Sequence, residues 1–172
     1  KMTHRFYISG EPDREIFVIK DRALLHQMRD VLRLKKGEKI AFFNDKEGFS
    51  GFDYIAEIKG MEQGSISLMF REKIENTREP AKKLFLYQSL IKKDKFEWVL
   101  EKATEIGVSE IIPVLSARSE KKSLNVERCE VILKEATEQS GRAFIPRLGA
   151  VMPFDKAVAR AKDSGFKTYF AA

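Results

Sequence analysis

Cysteine occurs once in the 172 residues and histidine only twice. A lone Cys129 cannot close an internal disulfide, which suits a reducing compartment. Ile132 and Ala136 follow it at i+3 and i+7, the spacing of a helical core stripe, so it reads as core filler rather than a nucleophile. With His4 and His26 as the only imidazoles, no metal site is expected. No apolar run approaches the roughly 20 residues that a membrane span needs. The opening Lys1-Met2-Thr3-His4-Arg5 lacks the apolar core of a signal peptide, so a cytoplasmic location without a membrane partner is expected. The phosphate-cradling patterns GxGxxG and GxxxxGK(S/T) are missing, and Ser, His and Asp occur without a nucleophile elbow. Repeats and low-complexity tracts are missing too.

What is present is charge, at 34% of residues, and an uneven basic excess. Of the net +6, only +1 lies within residues 1–72 and +5 lies beyond. Nucleic acid is the leading acidic partner for such a balance, because each phosphate neutralised releases counterions. A merely soluble basic protein has the same composition.

The grammar of the chain changes partway. Residues 1–72 predict short strands at Arg5–Ser9, Glu15–Ile19, Glu38–Asn44, Phe52–Lys59 and Ser65–Arg71, separated by the turns Asn44–Gly48 and Met61–Gly64. One helix interrupts them, with Asp21 as N-cap, running to Leu34 and closed by Lys35-Lys36-Gly37. Several strands around one helix predict a small barrel. Residues 73–83 read as a linker. Residues 84–172 predict strand Leu84–Leu90, helix Phe96–Ile106, strand Ile111–Leu115, helices Glu127–Ser140 and Phe154–Lys162, and a strand at Lys167–Ala171. That alternation means βαβ units and a parallel sheet.

Three clusters carry possible chemistry. On the first helix, Leu24, Leu25, Met28, Val31 and Leu32 form the core face, whereas His26, Arg29, Asp30 and Arg33 share another face that can track a phosphate backbone. The same spacing describes a solvated face with an Arg–Asp pair. Lys92, Lys93 and Lys95 add a second basic cluster. The polar run Ser116–Lys122, with Arg118, follows a strand's carboxyl end, and Gln139 and Arg142 stand where a helix's apolar stripe ends. Ligands of open α/β sheets bind at such positions.

The ordered set of motifs resembles the RsmE-type 16S ribosomal RNA uridine methyltransferases. It comprises His26-x4-Val31-Leu32-Arg33-x3-Gly37-Glu38, Lys95-x-Glu97 with Lys102–Val108, Ile112-Pro113 with Arg118-Ser119, and Glu135-Ala136-x-Glu138-Gln139-Ser140-Gly141-Arg142-x3-Pro146. The resemblance spans nearly the whole chain. It implies a PUA-like RNA-binding β-barrel followed by a SPOUT-type, trefoil-knotted α/β domain, and S-adenosylmethionine as cofactor. It also implies a homodimer and methylation of uridine N3 in the 16S rRNA of the small subunit. Arg118 is then the expected catalytic residue, stabilising charge on the uracil, and His26, Arg29, Arg33, Lys92, Lys93 and Lys95 are the expected RNA contacts. Gln139 and Arg142 would wall the cofactor pocket or the dimer interface. The family's Gly-Pro-Glu-Gly-Gly loop should follow Lys167–Ala171, so the main cofactor loops are expected beyond Ala172. Residues 1–172 alone are accordingly expected to be truncated in the knot region, to bind cofactor weakly or not at all, and to be inactive. Two other classes fit less of the pattern: a non-catalytic RNA-binding module without a cofactor site, and a small α/β enzyme for phosphorylated metabolites, favoured only by Arg118–Lys122.

Overall fold

The computed structural model describes residues 4–11, 14–117, 119 and 123–170. The chain is mixed α/β and divides into two units, Lys1–Glu79 with Gly141–Phe144, and Pro80–Ser140 with Ile145–Ala172.

The first unit holds a five-stranded sheet in the order β1-β3-β4-β5-β2. The strands are β1 (Arg5–Tyr7), β2 (Ile16–Ile19), β3 (Lys39–Phe43), β4 (Phe52–Glu62) and β5 (Ser65–Glu75). Only β1–β3 is parallel; the other pairs are antiparallel. Alternation does the sorting. Tyr54, Ala56 and Ile58 of β4 and Ile66 and Leu68 of β5 point inward, against Phe42 and Met28. The hydrogen-bonded path ends at β1 and β2 and does not close among the described residues, whereas the strand pattern predicts a closed barrel. β5 also runs to Glu75, so Lys73–Glu75 are strand rather than linker. A β4–β5 hairpin this long keeps its charged tips paired across the ladder, which composition alone does not reveal.

The helix expected over 21–34 is shorter and irregular. Asp21 does cap it, its carboxylate accepting from Leu24 N–H at 2.8 Å. α1 (Arg22–His26) then passes into a π turn, Gln27–Val31. Leu32 N–H donates to the Gln27 carbonyl and Leu34 N–H to the Met28 carbonyl. Leu34 returns to the core, so Arg33 between them turns out with φ +53°. Helix closure therefore falls at Arg33, ahead of Lys35-Lys36-Gly37.

In the second unit, β6 (Phe85–Ser89), β7 (Glu110–Leu115), β8 (Arg147–Leu148) and β9 (Met152–Pro153) make an all-parallel sheet. β7 is central and buried along nearly its whole length, as a β-branched run should be. β8 pairs with its start and β9 with its end. The break between them falls at Ile112–Pro113, where Pro113 has no N–H to donate. α2 (Lys93–Glu105) and α3 (Val126–Ser140) pack through Phe96, Leu100 and Ala103 against Cys129, Ile132 and Leu133. α4 (Phe154–Asp163) follows β9. Lys167–Phe170, expected as strand, form no regular element.

Candidate functional site

Two regions of the second unit meet the requirements of a site. β6 and β7 end side by side, with Leu90 N–H donating to the Val114 carbonyl. Past β7 the chain turns tightly: Ser116 N–H donates to Ser119 Oγ at 3.0 Å, and Ser119 N–H returns to the Ser116 carbonyl at 3.0 Å. Arg118, the expected catalytic residue, lies outside the described residues, as do 120–122 of the same polar run. Beside this end is a cavity of about 50 Å³ lined by Leu90, Ile91, Phe96, Leu124 and Cys129 among others. Burial, and then the Glu97 charge, push the Cys129 thiol up, so it stays protonated, in keeping with core filler.

The second region is a groove of about 370 Å³ between α2 and α3, with Asp94, Glu97, Glu101 and Glu135 on its rim. Trp98 is 58% exposed there, and Gln139 lines the same groove. Trp98 and the four carboxylates escape a search for basic or ligand-like motifs, but an exposed Trp on a helix that buries Phe96 and Leu100 is a readable signal.

Arg142 is not on either wall. It is 4% exposed and belongs to the first unit, where its guanidinium donates to Glu79 at 2.8 Å. Glu79 also accepts from the backbone N–H groups of Ala143 and Phe144 at 2.8 and 3.2 Å. Asn76 completes this arrangement by donating to the Gly141 carbonyl at 3.0 Å. The position expected to wall a pocket is thus occupied by a structural ion pair, because a carboxylate 63 residues upstream reaches it.

The basic groups fall into two sets. In the first unit, the Asp30 carboxylate stands between His26 Nδ1 at 2.9 Å and Arg29 Nε at 2.8 Å. Arg29 donates further to the Gln63 carbonyl in the β4–β5 turn, at 2.8 Å. Hydrogen bonds from Arg29 and His26 hold the Asp30 carboxyl at about 2, well below the usual carboxylate range. Arg33 is exposed and makes no ion pair among the described residues. In the second unit, Lys92, Lys93 and Lys95 lie exposed around the start of α2; Lys93 approaches Glu97 at 3.7 Å. No group of three or more potential metal ligands occurs among the described residues.

An adenosyl-sized ligand needs an enclosing pocket of a few hundred Å³, roughly 300 at least. The cavity of about 50 Å³ is too small, and the larger groove is an acidic cleft on the helix side of the sheet rather than at its strand ends. Neither of these two hollows encloses such a ligand.

Comparison with known proteins supplies the context. A family model, the RNA methyltransferase domain, matches residues 77–172. The ribosomal RNA small subunit methyltransferase E of Bacillus subtilis is 31% identical over 145 residues, covering 81% of this chain and 55% of that protein. Its Rickettsia conorii counterpart is 32% identical over 122 residues, covering 71% and 48%. The chain thus spans about half the length of the curated relatives it matches. The solved structure of a Legionella pneumophila protein assigned as a methyltransferase, in complex with the bound cofactor SAM, superposes with a TM-score of 0.82 at 26% identity. That match covers 94% of this chain and 68% of the other. With its parallel sheet, its strand-end turn and a family match over more than half its length, this chain belongs to the RNA methyltransferase domain family.

Proposed function

We propose that the protein transfers a methyl group from S-adenosylmethionine to N3 of a uridine in the 16S rRNA of the small ribosomal subunit. The observation that carries this reading is the family match over residues 77–172, laid on a parallel sheet whose β6 and β7 end beside a polar turn. The names of the relatives and the SAM bound in the Legionella structure support substrate and cofactor. N3 lies on the pairing edge of uracil, so the target base must be unpaired or flipped out. The cofactor supplies the methyl group while the N3 proton is lost to solvent, and what falls to this chain is to hold the base and to balance its charge. Arg118 is retained as the group that stabilises negative charge developing on the uracil oxygens.

The finer architecture belongs to the same proposal. The first unit acts as a PUA-like RNA-binding module and the second as part of a SPOUT-type, knotted domain. His26 and Arg33, with Lys92, Lys93 and Lys95, form the basic surface offered to RNA, and Arg29 stands beside them paired with Asp30. The protein works as a homodimer, with Gln139 and the groove around Trp98 on the face between copies. Its place is the cytoplasm, where ribosomal subunits are assembled; no helix among the described residues is long and apolar enough to cross a membrane.

Titration calorimetry of the whole gene product with S-adenosylmethionine, followed by transfer of a labelled methyl group to 16S rRNA, tests the reading. Saturable cofactor binding and label recovered as 3-methyluridine are expected. Cofactor binding without label in RNA would contradict the substrate, and no binding at all would contradict the activity.

A further inference from the structure

Within the RNA-binding reading, on which this inference rests, the two arginines of the first helix do different things. We propose that RNA phosphates are held by the loop Arg33–Lys39, through Arg33, Lys35, Lys36 and Lys39, and that Arg29 is a latch that makes no phosphate contact.

Arg29 is already occupied. Its Nε and Nη2 face the Asp30 carboxylate at 2.8 and 3.2 Å, and its Nη1 donates to the Gln63 carbonyl. The carboxylate neutralises the guanidinium charge, and the Gln63 bond ties the π turn to the β4–β5 turn. A phosphate approaching Arg29 also meets Asp30, a like charge.

The loop that follows is the reverse case. Arg33, Lys35, Lys36 and Lys39 are exposed, and none makes an ion pair among the described residues. Glu38, the one acid among them, has its carboxylate turned onto the backbone, accepting from Lys35 N–H at 3.0 Å. Meanwhile the backbone is fixed at several points. Leu34 is buried and bonded to the Met28 carbonyl, Gly37 N–H donates to the Ile58 carbonyl at 2.8 Å, and Ile58 N–H returns to the Glu38 carbonyl at 2.9 Å. Four cations thus stand on a rigid frame, so binding a polyanion orders little beyond side chains.

The backbone points the same way. Arg33 is the non-glycine residue with positive φ among those described, and it follows a π turn. Both features cost free energy, and both cluster at functional positions. Here they end the helix at Arg33, which is exposed, as are the lysines that follow it. RNA is the partner because the surface reads charge alone: the loop offers cations without an aromatic or apolar slot for a peptide side chain.

The test measures binding of poly(U) and of a 16S rRNA transcript against salt concentration for three proteins. These are the wild type, a loop variant (Arg33→Gly, Lys35→Gln, Lys36→Gln) and Arg29→Gln. Glycine at 33 suits the positive φ, so the loop variant loses charge without gaining strain. The salt slope of the loop variant is expected to fall by about 2, at roughly 0.7 for each phosphate left unneutralised, with affinity down about tenfold or more. Arg29→Gln should keep the wild-type slope while its melting temperature falls. A loop variant with an unchanged slope overturns the loop assignment, and an Arg29→Gln slope as flat as the loop variant's overturns the latch. If the wild type binds neither RNA, the RNA-binding reading itself falls.

Discussion

The Glu79 carboxylate receives the Arg142 guanidinium and two backbone N–H groups, and Arg142 is nearly fully buried. Deleting one partner of a buried pair leaves the other charge desolvated and unpaired. Arg142→Ala should therefore cost about 3 kcal/mol in urea denaturation, toward the lower end of the range for buried pairs because Glu79 keeps some contact with water. Glu79→Gln should cost less, since an amide oxygen still accepts from the backbone. Equal losses would mean that the charge carries the whole effect and the retained backbone hydrogen bonds add nothing. Gly107 offers a sharper backbone case. It sits after α2 with φ +93°, and a Cβ there would fall 2.2 Å from Pro80 Cγ. The pyrrolidine ring cannot swing away as a flexible side chain can. Gly107→Ala should lower stability by more than about 1 kcal/mol, and a neutral result would refute the packing described. The sequence makes Gly107 legible as a helix stop; Pro80 as its neighbour is visible only in three dimensions.

Among elements, β7 is the one on which the second unit depends, and Glu110 opens it. Its side chain is 7% exposed and accepts from Arg147 at 2.7 Å and Arg160 at 2.9 Å, joining β8 and α4 to the strand. Burial raises the Glu110 carboxyl, but the hydrogen bonds from Arg147 and Arg160 outweigh it and leave the group below the ordinary value of 4.5. A carboxyl depressed in the folded state stabilises above its unfolded pKa, and the contribution is lost as pH falls through the folded pKa. Melting temperature should thus fall below about pH 4.5, and Glu110→Gln should be less stable than wild type at pH 7 with a smaller further loss on acidification. Parallel pH curves for the two proteins would contradict this role. The strand itself is legible as a β-branched run. Its partners are not: Arg147 comes from a two-residue strand that periodicity does not separate from loop, and the helix read at Phe154–Lys162 gives no sign that its Arg160 reaches Glu110. The first helix shows the opposite lesson. Asp21 as N-cap is readable, but the π turn depends on Leu34 reaching the core, a tertiary demand that overrides local spacing.

At the scale of the whole molecule, the order of motifs carries the family, and the parallel sheet of the second unit follows from the βαβ alternation. The closure of the first sheet is not legible: strand count alone does not decide whether the two ends of a sheet meet. Of the expected site residues, Gln139 lines the α2–α3 groove, Arg142 is committed to Glu79, and Arg29 is committed to Asp30 and Gln63. Residue types and spacing find the charged positions, but which charges are spent inside the fold is decided by partners tens of residues away. If Arg118 stabilises charge on the uracil, Arg118→Ala should lower kcat about 100-fold, with less effect on KM. A change confined to KM would make it a binding residue. Nucleoside mass spectrometry of 16S rRNA from cells with and without the gene tests the proposed methylation of uridine N3. One 3-methyluridine per 16S rRNA is expected, disappearing on deletion and returning when the gene is restored. An unchanged nucleoside profile after deletion would contradict it.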